Sequence, residues 1–265
     1  MISADKQAFF SIDENGWFVG NDGARGPWDA DACHAGPVAG LLARATEAAV
    51  ANKQLVRLTA NFVRPIPMGG FRIEIEVTRD GRTATTVAAV LVDRDGKTVA
   101  TASSLHLIVE NIEQIPEHVA PPPPRKGSQP GVFALQEAAH GMPFFSQAID
   151  IEYPPGENHH PGPTTAWMRA PPLLSDETPS PFQRVCPLAD CGNGLSRVME
   201  VDEVSFINPD LTIVLHRLPE SIWLASRTAS RWERTGIGLA HAVLFDENGS
   251  IGIALQSLIL RPLQD

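Results

Sequence analysis

The 265-residue sequence contains little cysteine and no long apolar run. Its three cysteines, Cys33, Cys186 and Cys191, have no paired spacing, which argues against a disulfide framework and against a zinc site. No stretch reaches the roughly 18 consecutive apolar residues of a membrane span, and the first residues lack the pattern of a signal peptide. We therefore expect a cytoplasmic protein with no membrane partner.

Basic residues are also scarce, with 21 Lys and Arg against 31 Asp and Glu and a formal net charge of -10. This balance argues against nucleic acid or an anionic membrane surface as the main partner, because both require clusters of positive charge. A local basic pocket is still compatible with it.

Proline is abundant in one place, the segment that contains Pro121 to Pro124 near the middle of the chain. Such a run cannot form a helix interior or a central strand, and it predicts a linker. We expect an N-terminal unit over 1–114, a proline-rich linker over 115–145 and a C-terminal unit over 146–265.

The first half predicts one helix followed by four strands. Residues Ala35 to Val50 carry apolar side chains at helical spacing, and Gly36 and Gly40 would let this helix approach the strands closely. Alternating or β-rich segments follow: Val56 to Phe62, Phe71 to Thr78, Thr83 to Val92 and Thr98 to Val109. A helix followed by an antiparallel meander predicts a sheet that curls around the helix.

The second half repeats this order at a constant distance. Thr59 and Arg64 correspond to Thr212 and Arg217, and the turn Asp93 to Gly96 corresponds to Asp246 to Gly249; each pair is 153 residues apart, for example 217 minus 64. We infer a tandem duplication of one α+β unit, in which the two antiparallel sheets form one continuous sheet.

Polar residues that differ between the copies are candidates for function. The offset maps Asp190 onto Pro37 and Gln256 onto Ser103, so a carboxylate and a carboxamide occur only in the second copy. The alternatives are structural: Asp190 could be a helix N-terminal residue favoured by the macrodipole, and Gln256 an outward-facing strand residue. Nearby Gly192 and Gly194 each cost a helix about 1 kcal/mol relative to alanine, which suggests that another constraint retains them.

Several short motifs in this order resemble the double hot-dog acyl-CoA thioesterases of the thioesterase II type, within the thioesterase-like superfamily. The matching segments are Trp28…His34-Ala-Gly36…Ala45, Phe62-Val-Arg-Pro65, Asp80-Gly-Arg82, Leu188-Ala-Asp190, Leu211-Thr…His216-Arg217 and Gln256…Arg261. The resemblance implies an α+β double hot-dog fold, hydrolysis of an acyl-CoA to a free fatty or carboxylic acid and CoA in lipid metabolism, no metal or other cofactor, and a homodimer or higher homo-oligomer.

The resemblance also implies site residues. In that family an aspartate, a glutamine and a threonine of the second unit hold the hydrolytic water. The aspartate falls on Asp190 and the glutamine on Gln256, whereas the threonine position falls on Asn208, with Thr212 the next threonine. This departure raises the question of whether water is held in the family's way.

The chemistry suits these residues, because the chain has no Gly-x-Ser-x-Gly motif for a nucleophilic serine. Burial would have to raise the pKa of Asp190 for it to act as a base near neutrality. Substrate contacts are expected from backbone N–H groups near Gly36 and Val38 or near Gly192, and from His34, which is otherwise a structural residue at the start of the helix.

Two other functions remain open at this stage. An enoyl-thioester hydratase would depend on Asp29 and His34, and a non-catalytic acyl-CoA binding protein would be consistent with Asn208 in place of threonine. The arginines considered for the phosphates of CoA are Arg25, Arg57, Arg64 and Arg169.

Overall fold

A computed structural model describes residues 7–116, 119–200 and 204–262. The N-terminal elements are β1 (Phe10–Ile12), β2 (Phe18–Gly20), a short 3-10 turn (Asp22–Ala24), α1 (Ala35–Ala48), β3 (Gln54–Phe62), β4 (Phe71–Asp80), β5 (Ala84–Asp93) and β6 (Thr98–Leu107). The predicted helix and four strands of the first half are thereby confirmed.

The remaining elements begin within the proline-rich segment. They are β7 (Gln129–Pro130), α2 (Phe145–Ala148), β8 (Asp150–Tyr153), β9 (Thr164–Arg169), α3 (Pro181–Ala189), α4 (Gly192–Ser196), β10 (Val204–Ile207), β11 (Asp210–Leu215), β12 (Leu224–Trp232), β13 (Ile237–Asp246) and β14 (Gly249–Pro262). No helix within the described ranges has the length and apolar content needed to cross a membrane.

The described strands form one continuous sheet of 14 strands in the order β1-β2-β4-β5-β6-β3-β11-β14-β13-β12-β9-β8-β7, with β10 paired to β14. The two halves join where β3 pairs with β11, and Thr212 lies directly opposite Thr59 there. Their hydroxyls are hydrogen-bonded at 3.1 Å. Residues 153 apart in sequence therefore meet at the junction, which confirms the continuous sheet and the α+β class.

One face of the sheet wraps around the helices because its strands alternate in burial. In β5, Val87, Ala89 and Leu91 are buried while the residues between them are partly exposed. Ala89 and Leu91 join the core beneath α1, which contributes Leu41 and Leu42. The sheet needs one face covered and the helix needs its apolar side covered, so each satisfies the other.

The constant offset of 153 holds only for part of the repeat. Helix α1 follows its N-cap His34 and α3 follows its N-cap Ser180, so the helices begin 146 residues apart (180 minus 34). The assignment of Asp190 to the position of Pro37 is therefore wrong. Asp190 is the C-cap of α3, not a residue of a helix N-terminus.

The last strands are offset by 152. Thr59 pairs with Ser103 in β6, whereas Thr212 pairs with Leu255 in β14. The reason is a turn that is one residue shorter in the second copy: Val92 pairs with Thr98, but Phe245 pairs with Ser250. Gln256 consequently corresponds to the buried Ser104 and not, as the sequence suggested, to the exposed Ser103.

Helices α1 and α3 pack together in antiparallel orientation, with the start of α1 beside the end of α3. A Cβ on Gly36 would lie 2.8 Å from the carbonyl oxygen of Pro187, and one on Gly40 would lie 2.8 Å from the Leu173 side chain. The expectation that these glycines allow contact with strands is wrong. They allow close contact with α3 and with the segment that precedes it.

The segment predicted as a linker has a packed second part. Its residues 129–130 form β7 against β8, and Phe133 and Leu135 are buried in the core. Phe133 packs edge to face against Phe145 at a centroid distance of 6.3 Å. The run of prolines precedes this part, so the segment both connects the halves and covers the site described next.

Candidate active site

The carboxyl group of Asp190 lies at the break between α3 and α4, beside the start of α1. It is almost fully buried, with 3% of its side chain exposed. Pro187 lies inside α3, and the helix ends at the following Leu188-Ala189 before Asp190. The close approach of Gly36, whose Cβ would lie 3.0 Å from the Asp190 Cβ, brings the two helices together at this point.

Three side chains from three different elements hold this carboxyl group. Asn208 Nδ2 donates to Asp190 Oδ1 at 2.7 Å, and Gln256 Nε2 donates to the same oxygen at 2.9 Å. His34 Nδ1 lies 3.1 Å from Oδ2. The carboxyl is thus oriented from the β10–β11 connection, from β14 and from the N-cap of α1.

The amide of Gln256 is fully committed within this arrangement. Its Nε2 also donates to the Asp190 backbone carbonyl at 2.9 Å, and its Oε1 accepts from the Asn193 backbone N–H at 3.2 Å. With 4% of the residue exposed, Gln256 points inward. A buried amide requires hydrogen-bond partners, and these three contacts provide them for Gln256.

Gly192 and Gly194 are explained by the space around them. A Cβ on Gly192 would lie 2.9 Å from Gln256 Oε1, and one on Gly194 would lie 3.2 Å from the Phe133 ring. Larger residues would displace the amide that orients Asp190 and the ring that covers the site.

Burial raises the pKa of Asp190 to about 7, and the hydrogen bonds from Asn208, Gln256 and the Gly36 backbone oppose this rise. Burial lowers the pKa of His34 to about 3, so its imidazole is neutral at neutral pH. A carboxyl group that titrates near neutrality beside a neutral imidazole is suited to proton transfer.

One proton must lie between Asp190 Oδ2 and His34 Nδ1, because two unprotonated acceptors would repel each other at 3.1 Å. The Gly36 N–H also points to His34 Nδ1, at 3.2 Å. When Asp190 is protonated, it donates to Nδ1 and the ring proton of the neutral imidazole is on Nε2. When Asp190 is ionised, the ring proton is on Nδ1 and is donated to Oδ2. The imidazole stacks on Phe145 at a centroid distance of 3.9 Å, which fixes its plane.

The carboxyl lies in the wall of a cavity of about 370 Å³. The walls are mainly apolar and include Phe62, Ile66, Phe133, Leu135 and Phe206, whereas the polar groups are His34, Arg64, Asp190, Asn193, Asn208, Gln256 and Asp29. An apolar chamber with a few convergent polar groups is typical of a small-molecule site.

The other residues singled out from the sequence lie apart from this cavity. Thr212 is at the junction of the two halves, where it bonds to Thr59. Val38 is buried within α1, and the Gly192 carbonyl accepts from Thr228 Oγ1 at 3.1 Å. Neither Thr212, Val38, Gly36 nor Gly192 lines the cavity, although the Gly36 N–H reaches His34.

Sequence reasoning missed Asn193, Phe133 and Leu135 among the lining residues. Asn193 bonds to both Gln256 and Trp232, and Phe133 and Leu135 come from the segment interpreted as a linker. The run of four apolar residues, Val132, Phe133, Ala134 and Leu135, was the available signal for that packed segment. Among the described residues, no group of three or more His, Cys, Asp and Glu side chains could hold a metal ion.

Two family models match most of the chain. The acyl-CoA thioesterase N-terminal domain matches residues 24–106, and the acyl-CoA thioesterase C-terminal domain matches residues 116–260. A search of curated protein sequences gives no significant match.

Solved structures with the same fold cover nearly the whole chain. A candidate thioesterase from Novosphingobium aromaticivorans has 20% identity and a TM-score of 0.74, with 96% of this chain and 98% of that one covered. A hot-dog protein from Alicyclobacillus acidocaldarius has 18% identity, a TM-score of 0.71 and 96% of each chain covered. The acyl-CoA thioesterase II of Mycobacterium marinum has 19% identity and a TM-score of 0.64, over 96% of this chain and 95% of that one. These likenesses show the double hot-dog fold.

Proposed function

Since this chain belongs to the acyl-CoA thioesterase family and is a thioester hydrolase, we propose that Asp190 activates the water that cleaves its acyl-CoA substrate. The observation that carries this proposal is the buried carboxyl group, with its pKa raised to about 7, in the wall of an apolar cavity. Gln256 and Asn208 orient it, and the acyl group occupies the apolar chamber.

The reaction needs no cofactor for its balance. The Asp190 carboxylate takes a proton from water while the water oxygen attacks the thioester carbonyl carbon. The tetrahedral intermediate then expels the CoA thiolate, which takes that proton from Asp190. The products are a carboxylic acid and CoA, and the carboxylate is regenerated.

His34 stabilises the ionised form of Asp190. When Asp190 is ionised, the neutral imidazole carries its proton on Nδ1 and donates it to Asp190 Oδ2, 3.1 Å away. His34 also lines the cavity next to Asp190. The Asn193 backbone N–H is committed to Gln256 Oε1, where it holds the amide that orients Asp190.

Asn208 takes the place of the family threonine through its amide. At 2.7 Å its Nδ2 gives the shortest of the hydrogen bonds to Asp190 Oδ1. A donor to the ionised carboxylate favours the form that acts as a base. The departure from threonine therefore preserves a donor at this position.

Asp29 and His34, the two residues on which an enoyl-thioester hydratase would depend, do not form a pair. Asp29 is exposed and accepts from the Asp31 N–H, whereas His34 contacts Asp190.

Thiol release from acyl-CoAs of short, medium, long and aromatic acyl groups tests the function and gives the substrate class. Wild type should turn over at least one of them, and Asp190→Asn should lose 100-fold or more of kcat while it still binds the substrate, about the contribution of a general base. Saturable binding without turnover by wild type would indicate an acyl-CoA binding protein. Turnover that survives in Asp190→Asn would contradict the role of Asp190.

We also propose that the chain forms a homodimer or higher homo-oligomer through the outer face of its sheet, and that it acts in cytoplasmic lipid metabolism. Exposed apolar side chains cluster on that face, around Val214, Leu239, Ile253, Leu255 and Ile259. Free cysteines are consistent with a reducing compartment. Light scattering should show that Leu255→Glu lowers the molar mass, whereas Val77→Glu, at a similarly exposed position on β4, leaves it unchanged. A wild-type monomer would contradict self-association.

A further inference from the structure

Arg64 and Arg217 occupy equivalent positions in the two halves. The Arg64 N–H donates to the Val99 carbonyl at 3.1 Å, and the Arg217 N–H donates to the Ile251 carbonyl at 3.4 Å. Each arginine follows the strand of its half that lies at the junction, β3 or β11, and each carbonyl belongs to the residue at the bulge of the last long strand. The two backbones therefore place the two arginines at equivalent positions, whereas their side chains have different partners.

In the second half both terminal nitrogens of the Arg217 guanidinium are bonded within the protein. Its Nη1 and Nη2 bond to the two oxygens of Asp246 at 2.9 and 2.6 Å. Asp246 is completely buried, and it also accepts from the Glu220 N–H at 2.9 Å. A bidentate pair of this kind locks the end of β13 to the end of β11.

In the first half the equivalent pair is absent from the described contacts. Asp93 corresponds to Asp246, but its Oδ1 accepts from the backbone N–H groups of Asp95 and Lys97, within its own longer turn. Pro67 stands where Glu220 stands in the second half and has no N–H to offer. Asp93 thus caps its turn, and within the described residues the Arg64 guanidinium has one hydrogen bond, from Nη1 to the Thr98 carbonyl.

The guanidinium of Arg64, which does not bond to Asp93 in the described contacts, lies at the mouth of the active-site cavity. Arg64 is exposed and lines the cavity, and no other lysine or arginine is among the described lining residues. The reacting carbonyl must lie beside the buried Asp190, so the acyl group fills the apolar interior and the hydrophilic part of the substrate leaves through the exposed rim. That part carries the phosphates.

We infer that Arg64 binds a phosphate group of coenzyme A and so determines the preference for CoA thioesters over thioesters without phosphate. This inference rests on the proposed function, because it takes the acyl-CoA to be bound with its thioester at Asp190. A guanidinium binds phosphate oxygens through charge-assisted, bidentate hydrogen bonds, for which an acidic protein offers few other groups.

The other candidate arginines are engaged or lie elsewhere. Arg25 donates to Asp22 Oδ1 at 2.8 Å and to the carbonyls of Ala30 and Pro143. Arg169 bonds to Asp150 at 2.6 Å. Arg57 lies in β3 at the junction of the halves and does not line the cavity.

The test compares Arg64→Met with wild type on two substrates that share one acyl group, the CoA thioester and the pantetheine thioester, which has no phosphate. The variant should raise KM for the CoA thioester about 10-fold or more, the usual effect of losing a hydrogen bond to a charged group. It should leave kcat and the constants for the pantetheine thioester unchanged. Arg64→Lys should recover part of the loss, and Arg82→Met, an exposed arginine outside the cavity, should behave as wild type.

An equal loss on both substrates would overturn the inference, since it would assign Arg64 a structural role through its bond to Thr98. An unchanged KM for the CoA thioester would also overturn it. Calorimetric titration with CoA, dephospho-CoA and pantetheine keeps the two proposals apart. If wild type hydrolyses nothing but binds CoA in an Arg64-dependent way, the hydrolytic mechanism fails and the subsite stands. If wild type neither hydrolyses a CoA thioester nor binds CoA, both fail.

Discussion

The two ends of the α1–α3 helix pair have related contacts but different surroundings. At one end the α1 N-cap His34 lies against Asp190, at the end of α3. At the other, the α3 N-cap Ser180 donates to Glu47, in the last turn of α1, at 2.8 Å. In both places an N-cap side chain of one helix meets a carboxyl group of the other, so this contact belongs to the fold.

The surroundings separate the site from its counterpart. Glu47 also accepts from a carboxamide, Gln183 Nε2, at 2.7 Å, and burial raises its pKa against these hydrogen bonds. Its groove, however, is an open one that includes the exposed stretch around Asn52. In that half Leu55 corresponds to Asn208, and Ser104 to Gln256. We therefore expect the apolar cavity, and not the amide bond to a carboxyl group alone, to distinguish the proposed site at Asp190.

Neutralising Asp190 and Glu47 in separate variants tests this difference most directly. Asp190→Asn should lower kcat by 100-fold or more, because the base is removed. Glu47→Gln should stay within about 2-fold of wild type, because Glu47 supports helix ends at the far side of the pair. Steady-state thiol release measures both. A large loss in Glu47→Gln with unchanged folding would show a second catalytic centre and contradict the distinction.

The pH dependence of kcat/KM tests whether burial raises the pKa of Asp190. The base must be ionised, and its pKa is about 7, so activity should rise with pH and level off above about 7. Asn208→Leu removes a donor that favours the ionised form, so the pKa should rise and the limb should move to higher pH by up to about one unit. A limb near the ordinary carboxyl pKa of about 4 would contradict the raised pKa of Asp190.

The free energy of unfolding should show the same shift in the pKa of Asp190 when no substrate is present. A folded-state pKa above the ordinary aspartate value of 3.8 means that the native protein binds more protons than the unfolded chain between about pH 4 and 7. The contribution of Asp190 to stability is present below this range and is lost as the pH rises through it. The free energy of unfolding of Asp190→Asn, minus that of wild type, should therefore increase from pH 4 to 7 and stay constant above. A pH-independent difference in urea denaturation would contradict the shift.

Gly192→Ala tests whether the amide orientation matters more than helix packing. Its new Cβ would meet Gln256 Oε1 at 2.9 Å, so we expect kcat to fall about 10-fold as the amide is displaced from Asp190. Gly40→Ala is the matched control, because its Cβ would meet the end of the Leu173 side chain at 2.8 Å, away from the cavity. It should lower the melting temperature and leave kcat unchanged. Similar kcat values in the two variants would remove the orienting role of Gln256.

The order of elements and the sheet could be predicted from sequence because they depend on local patterns. Alternation and turn residues identify strands such as β5, and the duplication implies that β3 and β11 adjoin. The offset failed for Asp190 and Gln256 because a helix start and a turn length changed between the copies, which subtraction along one sequence does not detect. Phe133 was missed because the prolines before it indicated a linker and because one of its partners, Gly194, is far away in sequence.

Removal of the Asp29 charge at the mouth of the cavity should have a smaller effect than any of these changes. Asp29 is an exposed carboxylate in the lining that contains Arg64, and it should repel an approaching phosphate. Asp29→Asn should therefore lower KM for an acyl-CoA about 2-fold, with a weaker effect at high salt, since exposed charges interact by less than about 1 kcal/mol. The pantetheine thioester should show no change. A rise in KM would mean that Asp29 accepts a hydrogen bond from the substrate, and a loss of kcat would give Asp29 a role in the hydrolysis itself.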